Sequence, residues 1–354
     1  MEIIYEGSIK LKIDKAEKIS KEMQVFYNPA MRLNRDISVL LLNSINKNRL
    51  QIADLLAATG VRSIRFLREL NKNKIKSMYI NDYNEAAVKL VRENLKLNGI
   101  SCKNNKISIT QQEANLFLLN STGFDYIDLD PFGCPNFALD AACKRIARNG
   151  ILAVTATDTS ALCGTYPNAC IRKYWAIPKK DVMMHETGLR ILIRKIQMIA
   201  GQYDKALFPI FSYSKDHYMR VFLASEKGKG KVEMITKMHG QHDASGPMWL
   251  GNLWSKNLVE KMYQNAIKNK LFKKNHELVS FLQLIRDESK INSIGIYDLH
   301  DICKKNKIRN SPKKEAIILA IRKIGYKASK THFKGQGIRS NVPYSKLVNL
   351  IKNK

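Results

Sequence analysis

Phe124-Asp-Tyr-Ile-Asp-Leu-Asp-Pro-Phe-Gly133 is an apolar, aromatic-rich run that halts at a proline. Residues 124–129 predict a short buried strand. Pro131 ends it, because proline has no N–H to donate to a sheet neighbour. Asp130 and Phe132 are then displayed at the carboxyl end of a strand, which is where open α/β sheets bind ligands. A carboxylate, a freed carbonyl and an aromatic ring suit a planar base that carries an amino group. The two oxygens accept from its N–H donors and the ring stacks on its face. Asp-Pro-Phe-Gly is also the composition of a plain turn, so the neighbouring segments decide.

Those neighbours alternate. Residues 52–57 predict a strand closed by Ala58-Thr-Gly60, and residues 61–70 a helix with Ile64, Leu67 and Leu70 on one face. A second strand at 77–80 and a helix at 84–97, stopped by Asn98-Gly99, follow. A third strand at 107–111 precedes Glu113-Ala-Asn115, and residues 124–129 make the fourth. A helix over 136–147 and a fifth strand over 150–156 complete a parallel sheet covered on both faces, an α/β fold. Residues 182–201 predict a long amphipathic helix, and 206–213 with 219–225 an antiparallel pair at the sheet edge. Upstream, residues 1–24 centre on a small strand at 9–13, and 25–36 read as an irregular ligand-binding loop ending in Asp36, expected as the N-cap of a helix over 37–45. The expected domains are 1–225, a linker over 226–255, and a smaller, mainly helical α+β domain over 256–354.

The chain has 354 residues, enough for two cores, and 45% hydrophobic content. No run approaches the ~18 to 20 apolar residues that span a bilayer. The acidic start, Met1-Glu-Ile-Ile-Tyr-Glu6, lacks signal-peptide layout, and a soluble cytoplasmic protein without an obligate protein partner is expected. The net charge is +29, and residues 297–354 hold 15 Lys+Arg against 3 Asp+Glu. Such a segment calls for a polyanion, nucleic acid before membrane. Six cysteines show neither C-x-x-C pairing nor zinc spacing.

Asp54-Leu-Leu-Ala-Ala-Thr-Gly60 forms the first strand-to-helix turn, and Asp82 stands 22 residues beyond Gly60 at the end of the next strand. That is a nucleoside-binding layout, in which the second-strand acid accepts the ribose hydroxyls. One glycine replaces the three of a dinucleotide site, so a pyrophosphate is poorly served while S-adenosylmethionine needs no phosphate cradle. Glu113 is placed to meet an adenine amino group. Asp82 also fits a helix cap, Glu113 a solvated loop acid, and Arg35 and Arg62 surface cations.

Phe26-Tyr-Asn-Pro29, Leu33-Asn-Arg-Asp36, Ala58-Thr-Gly-Val-Arg62, Asp128-Leu-Asp-Pro-Phe-Gly133, Val154-Thr-Ala-Thr-Asp158, His217-Tyr-Met-Arg220, Gly246-Pro-Met-Trp-Leu-Gly251 and Thr331-His-Phe333 stand in this order. Together they resemble the tRNA (guanine-26-N2)-dimethyltransferases, especially the archaeal branch, from about Val25 to the C-terminus. The resemblance implies a class I, Rossmann-like methyltransferase domain and a C-terminal domain that helps bind tRNA. It implies transfer of one and then a second methyl group from S-adenosylmethionine to a guanine N2. Carried over, Arg35, Arg62, Asp82, Glu113 and Ala114 contact the cofactor, Asp130 is catalytic, and Phe26 and Phe132 flank the guanine beside the Pro131 carbonyl. Glu113-Ala-Asn115 stands where relatives carry Asp-Ala-Asn. The cysteine cluster some relatives place before Gly-Pro-x-Trp is missing, so no structural zinc is expected.

Guanine N2 is a weak nucleophile because its lone pair is delocalised into the ring. Hydrogen bonds to Asp130 and the Pro131 carbonyl would localise that pair, and the base has to leave its stack first. Lys304, Lys305, Lys307, Lys313, Lys314, Lys334 and Arg339 are the expected phosphate contacts. His217 reads as a structural turn residue, Asp158 and Tyr166-Pro167 as possible pocket lining, and Trp175, Trp249 and Trp254 as core or domain interface. Rival readings are an adenine-N6 or other guanine-N2 methyltransferase, and an RNA-binding module that keeps only the fold.

Overall fold

The computed structural model describes residues 1–14, 24–102 and 106–352. The chain opens with an antiparallel hairpin, β1 (Glu2–Glu6) and β2 (Ile9–Ile13). The rest of the expected segment 1–24, residues 15–23, lies outside the described residues. Asn28 caps a 3-10 turn, its side chain accepting from the Ala30 amide, and this turn runs straight into α1 (Arg32–Ser44). The helix therefore starts five residues before the predicted one. Asp36 is no cap; it is buried inside α1 and pairs with Arg65 at 2.6 Å. Asn28 had already satisfied the turn upstream, so the chain could enter the helix early.

The central elements follow in order: β3 (Leu50–Asp54), α2 (Val61–Glu69), β4 (Ile75–Asp82), α3 (Glu85–Leu97), β5 (Ile107–Gln111), α4 (Ala114–Leu119), β6 (Phe124–Leu129), α5 (Asn136–Arg145) and β7 (Ile146–Ala156). Two short helices, α6 (Thr159–Leu162) and α7 (Pro167–Tyr174), lead to α8 (Met184–Gly201) and the antiparallel pair β8 (Lys205–Lys215) and β9 (Tyr218–Lys227). The seven-stranded sheet has the order β5-β4-β3-β6-β7-β9-β8. Strands β3 to β7 run parallel, and β9 inserts antiparallel between β7 and β8. This is a Rossmann-like architecture. β3 is flanked by β4 on one side and β6 on the other, so the chain reverses its winding there. The reversal leaves a crevice at the carboxyl ends of β3 and β6.

Residues 226–255, expected as a linker, fold onto this domain as α9 (Lys229–Lys237) and the hairpin β10 (His239–His242) and β11 (Ser245–Trp249). Met248 and Trp249 are buried, and Arg190 of α8 donates to the Trp249 and Gly251 carbonyls at 2.9 and 2.8 Å. None of the four residues of β10 is buried, whereas four of the five of β11 are, so one polar strand shields an inward-facing one.

α10 (Lys256–Lys268) and α11 (His276–Glu288) also bury their apolar faces in the main core. A separate core forms from β12 (Tyr297–Asp298), α12 (Leu299–Lys305), α13 (Lys314–Lys323), β13 (Ala328–Lys330), β14 (Gly337–Ser340) and α14 (Tyr344–Lys352). Its small sheet has the order β12-β14-β13. We propose that the second domain begins near Tyr297. Among the described residues no helix is long and apolar enough to cross a membrane.

Candidate active site

A cavity of about 810 Å³ opens at the crevice between β3 and β6, within the range of small-molecule sites. Its walls bring together Phe26, Arg35, Arg62, Asp82, Asp130, Pro131 and Phe132 from five separate segments of the chain.

Asp130 is anchored by Arg62, whose Nη2 is paired to Asp130 Oδ2. The same guanidinium bonds Asn34 Oδ1 at 3.0 Å and Ser38 Oγ at 2.9 Å, and its Nε lies 3.3 Å from Asp128 Oδ1. Nearly all of its donor capacity is thereby committed to protein atoms. Asp128 is itself clamped by Arg220 at 2.6 Å and by the Tyr126 hydroxyl at 2.6 Å. Burial would raise the Asp128 pKa, but Arg220 and Arg62 bring it below the usual value. The strand thus buries an ionised base plate, and Asp130 stands at its edge. No described residue donates a hydrogen bond to Asp130 Oδ1.

The expected aromatic flanks meet each other. The Phe26 and Phe132 rings touch edge to face, with centroids 4.2 Å apart and planes at 79°. A base held between them needs ~7 Å, twice a stacking distance. The rings have to part before they can flank a guanine. Phe132 is 47% exposed, so its ring is not enclosed by the core.

On the other side of the cavity the turn after β3 holds Ala58 at φ 47° and Gly60 at φ 76°. A Cβ on Gly60 would stand 3.1 Å from Val91 in a left-handed backbone that glycine accepts at no cost. The Asp82 Oδ2 accepts from the Ala58 amide at 2.8 Å and its Oδ1 from the Asn84 amide at 3.0 Å. One acid therefore clasps the turn while keeping lone pairs for a diol. Arg35 lines the cavity, yet its guanidinium is bound to Glu6 of β1 at 2.6 and 2.5 Å. Burial pushes the Glu6 carboxyl up, and Arg35 and Arg65 outweigh it, leaving its pKa at about 2. Glu113 caps α4, accepting from the Asn115 and Leu116 amides at 2.8 and 3.0 Å. Neither it nor the buried Ala114 is among the lining residues.

The deep wall is Asp54, buried and bonded by Ser63 Oγ at 2.6 Å. Burial, together with the nearby Asp128 charge, raises its pKa to about 7. His217, in the β8–β9 turn, and the buried Tyr218 that starts β9 also line the cavity. Tyr166 and Asp158 do not; Asp158 pairs with Lys173 at 2.8 Å.

A family model described as N2,N2-dimethylguanosine tRNA methyltransferase matches residues 7–241 and 234–352. The chain belongs to this family. Among its relatives is the tRNA (guanine(26)-N(2)/guanine(27)-N(2))-dimethyltransferase of Aquifex aeolicus, 36% identical over 98% of this chain and 95% of that protein. The tRNA (guanine(26)-N(2))-dimethyltransferase of Methanosphaera stadtmanae is 35% identical over 99% and 96%. The structure of Trm1 from Pyrococcus horikoshii with S-adenosyl-L-methionine superposes with a TM-score of 0.90, at 36% identity, covering 99% of this chain and 100% of that one.

Some residues of this tRNA methyltransferase family member went unread in the sequence. Glu6, Asn34, Ser38 and Arg220 all support the site from elements distant in the chain. One signal was available: Leu33-Asn-Arg-Asp36 puts polar side chains at the start of an otherwise apolar helix, and these turn inward. Arg339, expected to meet phosphate, is fully buried against Glu186 at 2.5 Å and Glu288 at 3.1 Å, so it cannot reach RNA. Lys334 pairs with Asp298 and Lys305 with Asp301, both at 2.7 Å, and Lys314 donates to the Gly335 carbonyl. Lys304, Lys307 and Lys313 are exposed without a carboxylate partner among the described residues. The six cysteines are free, and no group of three His, Cys, Asp or Glu among the described residues is arranged to hold a metal ion.

Proposed function

We propose that this chain transfers one and then a second methyl group from S-adenosylmethionine to N2 of guanine 26 in tRNA, with Asp130 as the catalytic carboxylate. The carrying observation is the half-committed state of Asp130. Oδ2 is paired with Arg62, Oδ1 has no donor among the described residues, and Asp130 lines a base-sized cavity together with Pro131 and Phe132.

The other half of the cavity fits the nucleoside of the cofactor. Asp82 offers carboxylate lone pairs at the end of β4, and the Ala58–Gly60 turn brings backbone close. When bound, S-adenosylmethionine supplies an electrophilic methyl group. The protein's part is to present N2. Asp130 Oδ1 and the Pro131 carbonyl accept from the amino group, which holds its lone pair out of the ring and turns it toward the donor. Oδ1 then receives the proton that N2 loses. Arg62 keeps the carboxylate from swinging, since it is tied to Asn34, Ser38 and Asp128 at the same time. Once Oδ1 has passed that proton to solvent and the spent S-adenosylhomocysteine has been exchanged for S-adenosylmethionine, the single N–H left on N2 is accepted by the same oxygen for the second transfer. Phe26 and Phe132 part to receive the ring faces. Lys304, Lys307 and Lys313 hold phosphates and position the tRNA without reading bases.

Incubating the protein with labelled S-adenosylmethionine and unmodified tRNA, followed by nucleoside analysis and site mapping, tests this reading. N2-methylguanosine should appear first and N2,N2-dimethylguanosine later, at position 26. Mapping also reveals any labelling at position 27, the second site in the Aquifex relative's name. Label on adenine, or in DNA alone, would overturn the assignment.

A further inference from the structure

Trp175 is out of place for a tryptophan. The other two, Trp249 and Trp254, are 3% and 8% exposed, whereas Trp175 is 50% exposed at the end of α7. Its backbone is left-handed, φ 58°, which a bulky side chain adopts only when its surroundings impose it. They do so here. Tyr174, Ala176 and Pro178 point inward in alternation, which turns Trp175 and Ile177 outward. Arg194 donates to the Trp175 carbonyl at 3.3 Å, and Lys195 Nζ lies 2.8 Å from the centroid of the indole ring. Lys195 is itself 5% exposed with no carboxylate partner among the described residues, so the ring is its charge's companion. One face of the indole is thereby pinned to the protein and the rest is open.

The chain two residues before this ring is tied to the helix that carries a cavity residue. Asn136 Nδ2 donates to the Lys173 carbonyl at 2.6 Å, joining the start of α5 to the end of α7. The next residue in α5, Phe137, is 50% exposed and lines the cavity mouth, as does Phe132. Exposed cations accompany the rings: Arg172 and Lys180 have no carboxylate partner among the described residues. Exposed aromatics interleaved with unpaired cations suit an RNA strand, with bases on the rings and phosphates on the charges. A protein partner is disfavoured by a surface this cationic in a chain of net charge +29.

We propose that Trp175 and Phe137 form a stacking face for the bases next to the target guanine, with Arg172 and Lys180 taking the phosphates. The proposal rests on the tRNA-methylation reading. Extruding one base breaks its stack, and the uncovered faces of its neighbours need new partners. An indole held against Lys195, two residues from the α5–α7 link, provides one.

Tryptophan fluorescence is the direct probe, because Trp175 dominates the exposed signal. Adding unmodified tRNA should quench the long-wavelength component, and Trp175→Phe should remove that quench while preserving most of the affinity. Trp175→Ala and Phe137→Ala should each raise the KM for tRNA about tenfold, with S-adenosylmethionine affinity unchanged. A quench that survives in Trp175→Phe would overturn the proposal. So would a KM within about twofold of wild type in both alanine variants. Quenching that instead grows with protein concentration without RNA would assign the face to a second copy and also sink it. Should Trp175→Ala not fold, the Phe variant and Phe137→Ala still decide. If wild type binds and is quenched by tRNA yet never methylates it, the functional reading falls and this surface stands.

Discussion

Two buried ion clusters in this molecule use the same ingredients to different ends. Beneath the cavity, Arg62, Arg220 and Asp128 are almost wholly buried and interlock at the end of β6. Farther along the chain, Glu186, Arg190, Glu288, His332 and Arg339 interlock where α8, α11 and β14 meet. In the second cluster each oxygen of Glu186 and Glu288 has a donor, including the Gly295 amide at 3.0 Å and the His332 amide at 3.0 Å. In the first, one carboxylate oxygen at the cavity, Asp130 Oδ1, has no donor among the described residues. Buried charge is tolerated when fully paired, and it becomes reactive where the pairing stops at a cavity.

Cutting the open cluster at its free atom should have the largest effect. Asp130→Ala is expected to lower kcat about 10²- to 10⁴-fold while tRNA and S-adenosylmethionine still bind, as read by single-turnover methyl transfer and filter binding. The closed cluster should answer the other way. Arg339→Ala removes the one guanidinium shared by two buried glutamates, leaving Glu186 to Arg190 and Glu288 to His332, and should cost about 3 to 5 kcal/mol of stability in urea titrations. Turnover per folded molecule should hardly change. A collapse of kcat in that variant, with the fold intact, would erase the distinction between the clusters.

Arg62→Lys sharpens the comparison further. Lysine keeps the charge and loses the fork that holds Asp130, Asn34 and Ser38 together, so kcat should fall about tenfold to a hundredfold with little change in KM.

The two regions should also differ in their response to pH. Burial raises the Glu186 carboxyl, but Arg339 and Arg190 outweigh it and hold its pKa at about 2 against 4.5. Its contribution is present above pH 4.5 and disappears as pH falls through about 2. Asp54 has the opposite sign: its pKa is raised from 3.8 to about 7, so its contribution is present below 3.8 and lost as pH rises through about 7. Denaturation midpoints of Asp54→Asn should therefore decline less than wild type between about pH 4 and 7, the window its shift defines. An equal decline in both would show that Asp54 does not titrate there.

The mildest effect is expected far from both clusters. Replacing Lys304, Lys307 and Lys313 together by alanine should weaken tRNA binding modestly and flatten its dependence on log salt, by somewhat less than about one unit of slope per lost phosphate contact. An unchanged slope would move the phosphate grip elsewhere on the surface.

Local pattern was sufficient for the parallel sheet, for the proline that ends β6, and for the acid at the end of β4. Each depends on periodicity or on a missing N–H, which the chain carries in short windows. The motifs around Asp130 also carried the family. Partnership over long separations was not legible. Arg35 meets Glu6 29 residues away, Arg62 meets Asp130 68 away, and Arg339 meets Glu186 153 away. A cation in a sequence reads the same whether it will face a phosphate, a cofactor or a buried glutamate. Only the packing of the surrounding elements, which decides how much water remains beside it, settles which of these it becomes.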